Sequence, residues 1–501
     1  MKKLFKALAI LSSFSILTRS LGFLFRIFLS RTIGAEGVGV YQIAFSIFMV
    51  LETIVSSGLP LVISKRTANK ASLNDKKGEN SVICAGLVIG ITTSIILCSV
   101  VLIFKNLFAN LFTDQRCLSI LLILMPTLVF STVYSVLRGN LWGNKKFFLV
   151  SFTEFFEQVV RVMFSVLFLV VINIALEKVL LASIAYVISC ILSSIVVLLL
   201  YIKNGGGFAS PKGEFKPLLK ASTPITLVRV ISSLLTPLIS IIIPLRLVAI
   251  GYTSEQAIAL FGVAVGMTFP LLYVPSTLMG ALSMTLIPNI SSALSTQKHD
   301  EVNSHIHFSI KFAYFISFVF IGLYLALGQP IGEFFYNNAM AGSFLNLSSF
   351  LVLPICLSGV SVSCLNALDL ETKTFINYAF GAIILVVSIF ILPNIIGVMA
   401  LVWGMGMCLG LASVLNIIMI NIKQRKNFFN FNYFIMSMLS AIPCYLMSKW
   451  TFSLVSAHVP LFISLALSCL IGSIFYFLCG LIFDLYDLSF LKFGKRRSST
   501  K

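Results

Sequence analysis

The sequence predicts an all-α polytopic membrane protein with about fourteen transmembrane helices, arranged as two pseudo-symmetric six-helix lobes plus two C-terminal helices. Three observations predict this class. Of the 501 residues, 58% are hydrophobic and 11% are charged, a composition that excludes an ordinary soluble domain. The apolar residues form long runs that suit membrane helices rather than short barrel strands. The two halves of the chain also repeat weakly.

The apolar runs give fourteen candidate spans, each long enough to cross a bilayer at about 1.5 Å per residue. They are residues 7–33, 38–64, 81–104, 117–137, 149–172, 179–202, 217–245, 255–287, 304–327, 345–367, 374–392, 396–421, 429–448 and 459–483. The predicted organisation is an N-lobe of helices 1–6 over 1–202, a Gly-, Pro- and Lys-rich cytoplasmic linker over 203–216, a C-lobe of helices 7–12 over 217–425, and helices 13–14 with a basic cytoplasmic tail over 426–501.

The distribution of the basic residues predicts the topology. The net charge is +19, and 26 of the 36 Lys and Arg residues fall on one side of the predicted membrane and 6 on the other. This bias is what the positive-inside rule predicts for a chain with both termini in the cytoplasm. The net charge therefore reflects topology and contact with anionic membrane lipids, and it does not indicate a nucleic-acid partner.

The two halves align at one constant offset, which places Pro60 on Pro288, Lys70 on Lys298 and Lys145 on Lys373. Predicted helices 2 and 4 then fall on helices 8 and 10, in the same orientation. Parallel repeats of this kind are a transporter architecture, with the site between the two lobes.

The four basic residues assigned to neither side of the membrane are Arg19, Arg26, Arg161 and Arg229. An arginine at the bilayer centre costs about 2.5–3.5 kcal/mol even on the lenient insertion scales. In the first helix, Arg19 and Arg26 lie on one stripe with small and hydroxylated residues at helical spacing, namely Ser12, Ser15, Gly22 and Ser30.

Helix 7 has a similar stripe around Arg229, formed by Ser222, Thr226, Ser233, Thr236 and Ser240. Two such stripes, one at the start of each half, predict the walls of a wet cationic cavity. The alternative for the Ser and Thr residues is helix packing, because small residues also mediate helix contacts in lipid.

Two other intramembrane sites differ from these stripes. Glu157 precedes Arg161 by four residues, the favourable order for an ion pair on a helix, so we predict a structural pair. Glu52 is an acid well inside a span with no cation nearby in sequence. It either pairs with an arginine of helix 1 or carries a coupling proton.

Signatures of an enzyme or a bound cofactor are missing from the sequence. The ten cysteines include no C-x-x-C pair, so neither a metal site nor a disulfide framework is indicated. Gly262 and Gly266 form a G-x-x-x-G pattern that indicates helix packing. Pro270, Pro275 and Pro288 predict kinks in the same helix.

Several stretches resemble the stage V sporulation protein B family of Gram-positive bacteria, part of the multidrug/oligosaccharidyl-lipid/polysaccharide exporter superfamily. They are TRSLGFLFRIFLSRTIGAEGVGVYQIA, SGLPLVISKRTANKAS, VLRGNLWGNKKFF with FEQVVRV, and GVAVGMTFPLLYVPSTLMGALSMTLIPNIS. The resemblance runs from about residue 5 past the tenth span and is vaguer in the last two spans.

The resemblance implies a two-lobed flippase that moves undecaprenyl-pyrophosphate-linked sugars (lipid II-like) to the outer face for peptidoglycan, in this branch often the spore cortex. The expected location is the cytoplasmic membrane, including that of the forespore or mother cell. The expected state is a monomer, with cell-wall synthesis proteins as candidate partners. We expect the pyrophosphate to be bound by Arg19, Arg26 and Arg229, because guanidinium groups bind such oxygens bidentately. The supporting cavity residues would be Ser15, Gly22, Glu52, Thr226 and Ser233.

One departure from the family matters for the substrate. Lipid II flippases usually carry an arginine in the eighth helix, and GMTFPLLYVPSTL has none. Either Arg229 of helix 7 takes that role or the substrate differs. The alternatives are a cation-coupled multidrug exporter of the same superfamily, which would need acidic cavity residues, and a membrane scaffold or receptor that transports nothing.

Overall fold

The computed structural model describes residues 2–172, 176–483 and 485, with side chains from Ser13 onward. Within these residues the chain is helical and has no strand, so the predicted all-α class is confirmed. Twelve of the described helices are long and apolar enough to cross a membrane, or thirteen if a bent pair counts as one span. This agrees roughly with the fourteen predicted spans. The basic tail from residue 486 lies outside the described residues.

Residue contacts divide the chain into two compact units, residues 1–266 and 267–501. The helices of the first unit are α1 (Lys2–Ser56), α2 (Leu59–Ser72), α3 (Lys76–Ile103), α4 (Lys105–Leu111), α5 (Gln115–Leu124), α6 (Thr127–Gly143), α7 (Phe147–Val166), α8 (Lys178–Lys203), α9 (Phe215–Ser233), α10 (Leu235–Ala249) and α11 (Ser254–Phe261). Two π-helical segments, Leu167–Val171 and Gly262–Thr268, follow α7 and α11.

The second unit continues with α12 (Phe269–Leu272), α13 (Val274–Ser295), α14 (His299–Tyr336), α15 (Ala339–Ser348), α16 (Val352–Ala367), α17 (Glu371–Ile391), α18 (Pro393–Ile396), α19 (Met399–Gln424), α20 (Phe431–Val455) and α21 (Leu461–Ile482). Its longest helix, α14, covers the ninth predicted span and extends it by several residues at both ends. A short 3-10 helix, Ser349–Leu351, joins α15 to α16.

The first two predicted spans meet at one glycine. Helix α1 contains the first span and most of the second, and Gly34 between them has φ 73° and ψ 178°. Residues with a side chain rarely adopt this positive φ, so glycine is the residue that allows the chain to change direction there. The second predicted span is itself interrupted, because α1 ends at Ser56 and α2 begins at Leu59.

Two glycines and two of the three prolines of the predicted eighth span act as expected. In the first unit, a Cβ on Gly262 would collide with the carbonyl of Ala35, and one on Gly266 would collide with Val38. The G-x-x-x-G pattern therefore serves helix packing against α1. Pro270 and Pro275 stand in the first turns of α12 and α13, where the helix is interrupted. In contrast, Pro288 lies inside the continuous α13.

The helix ends correct the offset of the internal repeat. Asn74 and Gln297, which follow α2 and α13, both have positive φ. Lys145 and Asp369, which follow α6 and α16, also have positive φ. The structure therefore aligns Lys145 with Asp369, at a shorter offset than the one that places it on Lys373. The longer offset follows a few identical residues that do not occupy equivalent helix positions.

The compact units differ from the lobes predicted at the 203–216 linker, because α9, α10 and α11 make their contacts with α1 and α2 in the first unit. The linker is also held in place along this unit. The Tyr201 hydroxyl donates to the Gly207 carbonyl oxygen at 2.7 Å, and Arg66 pairs with Glu214 at 2.5 Å. The division into six-helix lobes, which follows the repeat, stays a prediction.

The predicted topology can be tested with single cysteines in a cysteine-free background. We expect cysteines at Asn69 and Asn204, which are exposed, to resist an impermeant thiol reagent in intact cells. Cysteines at Tyr252 and Asn337, also exposed, should react, because they follow spans that end on the predicted outer side. Permeabilised cells provide the control, since all four sites should then react. Labelling of Asn204→Cys from outside would overturn the charge assignment.

Candidate functional site

A cavity of about 350 Å³ lies within the first unit, among helices α1, α2, α6, α7, α8 and α9. Its lining combines hydroxyl groups, aromatic rings and four charged side chains, those of Glu52, Arg138, Glu157 and Arg229. All four belong to helices that the sequence assigns to the membrane or its edge. Charged groups at this depth are expensive unless they contact water, each other or a ligand, so the cavity is the candidate functional site.

The break between α1 and α2 forms one wall of the cavity. Helix α9 approaches this break so closely that a Cβ on Gly58 would collide with the Ser222 carbonyl and the Thr226 hydroxyl. Glycine is therefore required at Gly58 for the close approach. One turn farther along α9, Arg229 Nη1 donates a hydrogen bond to the Ser57 carbonyl oxygen at 3.2 Å. The predicted polar stripe of α9 thus faces the break.

Helix α6 forms a second wall because it has two different faces. Gly139 and Gly143 pack against α2, and a Cβ on Gly139 would lie only 2.7 Å from the carbonyl oxygen of Pro60. This small-residue face fixes the rotation of α6. Arg138 and Trp142, four residues apart, consequently lie together in the cavity lining.

The Arg138 side chain is held in a defined position. Its Nη2 lies 3.0 Å from Glu154 Oε1, and its guanidinium carbon lies 4.5 Å from the centre of the Trp142 ring. The same guanidinium carbon lies 5.9 Å from the ring centre of Tyr134, four residues earlier in α6. An ion pair and a cation–π contact together restrict the rotamers of this long side chain. The Arg138 side chain is nevertheless 27% exposed. Several of its N–H donors therefore remain available.

Glu157 and Arg161 form an ion pair between neighbouring turns of α7. Arg161 Nη1 also donates to Gln158 Oε1 at 3.2 Å, and its guanidinium carbon lies 4.4 Å from the Tyr186 ring centre. Arg161 is thus surrounded by partners of its own unit, whereas Glu157 also lines the cavity. The predicted ion pair is thus present, and its structural role stays a prediction.

Glu52 also lines this cavity. Ser131 Oγ donates a hydrogen bond to Glu52 Oε1 at 2.9 Å. Among the residues that the structure describes, Glu52 takes part in no ion pair, so the predicted pairing with Arg19 or Arg26 is not the one seen.

Arg19 and Arg26 do not line the cavity. Both are exposed on α1, and neither forms an ion pair within the described part of the chain. Gly22, between them, packs near α7, where a Cβ would meet Gln158 Nε2 at 3.6 Å. The half-buried Ser15 lies on the same segment. The structure therefore brings together Arg229 and Glu52, and leaves Arg19 and Arg26 as exposed cations within the first predicted span.

The remaining predicted cavity residues lie on α9 with Arg229. Thr226 faces the α1–α2 break through Gly58, whereas the Ser233 hydroxyl donates to the carbonyl oxygen of Val230 in its own helix at 2.8 Å. Ser233 thus satisfies its hydrogen bond locally. The binding roles assigned to these residues remain predictions.

Arg138 is a charged site residue that the sequence reading missed. The charge distribution places it among the cytoplasmic cations, since the apolar run 117–137 ends one residue before it. The helix in fact continues to Gly143, which carries Arg138 into the cavity wall. Aromatic residues four positions before and after it, Tyr134 and Trp142, were the available signal, because such spacing places rings beside a guanidinium.

The fold and the cavity define a multi-pass membrane protein with the helical architecture of a transporter. The family described as "Polysaccharide biosynthesis protein" matches residues 4–292, more than half of the sequence, and this chain belongs to that family. The class, the family and the resemblance stated from the motifs agree with one another.

Two relatives from Bacillus subtilis (strain 168) extend the match along the chain. The chain is 27% identical to stage V sporulation protein B over 447 residues, 84% of this chain and 85% of the relative. It is 20% identical to the lipid II flippase MurJ over 416 residues, 76% of each protein. The resemblance to the stage V sporulation protein B family is therefore confirmed.

Solved structures show the same fold. The lipid II flippase MurJ in an inward closed conformation superposes with a TM-score of 0.71 at 17% identity, covering 97% of this chain and 100% of that one. An inward-facing multidrug resistance MATE family transporter of the MOP superfamily gives a TM-score of 0.67 at 14% identity, covering 81% and 94%. At these identities the likeness establishes the fold.

Proposed function

We propose that this protein is a flippase that translocates an undecaprenyl-pyrophosphate-linked sugar precursor, lipid II-like, across the cytoplasmic membrane by alternating access. The precursor would serve peptidoglycan synthesis, including that of the spore cortex. The observation that carries the proposal is the set of exposed arginines in membrane helices. Arg19, Arg26 and Arg229 form no ion pair within the described part of the chain, so each can bind an anion.

The physical reason is the charge of the substrate. A lipid-linked pyrophosphate must pass hydrocarbon with its negative charge intact, and the insertion cost of an arginine, about 2.5–3.5 kcal/mol, is offset when the guanidinium binds that anion. Guanidinium stays protonated when partly desolvated, so its charge is reliable at every stage of transport. In this proposal Arg19, Arg26 and Arg229 bind the pyrophosphate, and Ser15, Gly22, Glu52, Thr226 and Ser233 support them.

The experiment that tests the function is complementation of a strain depleted of its lipid II flippase. We expect the protein to restore growth and to restore externalised lipid-linked precursor, measured by its accessibility to an externally added enzyme. Vesicles containing the purified protein and a fluorescent lipid-linked disaccharide diphosphate provide the second readout. Failure in both assays at normal protein levels would contradict the flippase proposal.

A second candidate function, a cation-coupled multidrug exporter, is favoured by one observation. Glu52 and Glu157 line the cavity, and acidic residues suit cationic drugs. The Arg161 side chain pairs with Glu157, which leaves Glu52 as the lining acid that forms no ion pair among the described residues. Drug-resistance assays in a strain that lacks its own exporters discriminate the two, since an exporter lowers drug accumulation and a flippase leaves it unchanged.

Replacing Glu52 tests whether it carries a coupling proton. We expect Glu52→Gln to keep the hydrogen bond from Ser131 but to reduce gradient-driven transport at least about tenfold, because the amide cannot release a proton. Transport in vesicles should also lose its dependence on an imposed pH difference. Glu301→Gln, at an exposed pair with Lys298, is the matched control. Unchanged pH dependence in Glu52→Gln would exclude the coupling role.

A further inference from the structure

The cavity is charge-balanced, which sets it apart from a simple anion site. Its lining carries two arginines and two glutamates. Arg138 is already paired with Glu154, and Glu157 is already paired with Arg161, so within the described structure the unpaired charges of the lining are one cation and one anion. A neutral polar ligand finds both hydrogen-bond donors and acceptors in this lining.

The α6 wall of the cavity adds apolar faces between polar groups. Tyr134 and Trp142 contribute aromatic rings, and Ser131 and Ser135 contribute hydroxyls on the same side of the helix. Sugar rings combine weakly polar faces with a rim of hydroxyl groups. Aromatic side chains with a polar edge, flanked by hydroxyl and carboxylate acceptors, match both parts of such a ligand.

Arg138 is prepared for a ligand before the ligand arrives. Glu154 and the Trp142 ring hold it, so little rotamer freedom is left to lose on binding. Its remaining N–H groups can donate to sugar hydroxyl or carbonyl oxygens. The cavity volume of about 350 Å³ lies in the range of small-ligand pockets, about 300–1,000 Å³.

We propose that this cavity is the glycan subsite: it holds the sugar rings of the lipid-linked substrate, with Trp142 as the stacking surface and Arg138 as a positioning donor. The diphosphate is bound by Arg19, Arg26 and Arg229, and Arg229, exposed yet part of the lining, contacts it next to the first sugar. The proposal rests on the proposed flippase function and assigns recognition of the sugar to residues other than those that bind the charge.

Two probes that differ only in the sugar separate these roles. The full-length protein in lipid nanodiscs is titrated with a polyprenyl diphosphate carrying an N-acetylhexosamine disaccharide, and with the same polyprenyl diphosphate lacking sugar. We expect the wild type to bind the glycosylated probe more tightly. Trp142→Leu should weaken binding of the glycosylated probe about tenfold, as for a buried aromatic anchor, and leave binding of the bare diphosphate unchanged.

Trp450→Leu is the matched control, because Trp450 is 57% exposed on α20 and lies outside the cavity. A second measurement needs no change in the cavity. The chain has three tryptophans, so Trp403→Phe with Trp450→Phe leaves Trp142 as the fluorophore. The glycosylated probe should change its emission, and the bare diphosphate should leave the emission unaltered.

The outcomes distinguish the two proposals. If the wild type binds neither probe, the flippase proposal fails and the glycan subsite fails with it. If the wild type binds both probes, but Trp142→Leu changes their affinities equally or not at all and the Trp142 emission does not respond to the disaccharide, only the glycan subsite is wrong.

Discussion

Alanine in place of Arg19, Arg26 or Arg229 is expected to abolish or severely reduce export of the lipid-linked precursor, while the protein still inserts and accumulates. Each residue is exposed in a membrane helix and forms no ion pair among the described residues, so its removal breaks no internal charge pair. Loss of one hydrogen bond to a charged group costs about 1.5–3 kcal/mol, which corresponds to roughly a tenfold or larger loss of substrate affinity.

Lysine should rescue these positions only in part. An ammonium keeps the positive charge but lacks the planar fork that binds two phosphate oxygens at once. The measurement is precursor export in the flippase-depleted strain, together with the amount of each variant in the membrane. At each of the three positions, we expect precursor export to decrease from wild type to the lysine variant to the alanine variant.

The matched control is Lys220→Ala, which removes an exposed positive charge from the same helix as Arg229 but at its predicted cytoplasmic end. Export by this variant should stay near wild type. Full export by both Arg19→Ala and Arg229→Ala at wild-type protein levels would show that these cations are not the substrate site, and the proposed flippase would lose its mechanism.

The sequence was sufficient to predict the fold class because each membrane helix is recognisable from its own apolar run. Each apolar run that predicted a span coincides with one or more helices, and the glycine pattern of Gly262 and Gly266 predicted a packing contact that α1 provides. Interruptions were harder to predict. The positive φ of Gly34 and the gap between α1 and α2 depend on which helices pack there. An apolar run does not contain information about those packing partners.

The composition of the candidate site was only partly predictable for a related reason. Helical spacing identified the Arg229 stripe, and its packing against the α1–α2 break put Arg229 and Glu52 in one cavity. Spacing does not identify partners that are distant in the chain. Glu154 of α7 pairs with Arg138 of α6, and this pair brings an unpredicted arginine into the wall.

The largest effect on stability is expected at the Glu157–Arg161 pair. The Arg161 and Glu157 side chains are 19% and 21% exposed, so each charge depends mainly on the other for compensation. Removing one partner of a buried pair leaves an uncompensated charge, which costs about 3–5 kcal/mol. Arg161→Ala also loses the contact with the Tyr186 ring, so it should be at least as destabilising as Glu157→Ala.

Both single variants should therefore accumulate poorly and, once purified in detergent, unfold at lower temperature or denaturant concentration than wild type.

The double variant Glu157→Gln with Arg161→Met distinguishes loss of the pair from loss of a single charge. It removes both charges while keeping side chains of similar size, and replacing a whole buried pair in this way is often nearly neutral. We expect it to recover most of the free energy of unfolding lost in Arg161→Ala. If the double variant is as unstable as Arg161→Ala, the uncompensated Glu157 charge is not the cause; if Arg161→Ala is fully stable yet inactive, Arg161 belongs to the transport site rather than to the scaffold that supports it.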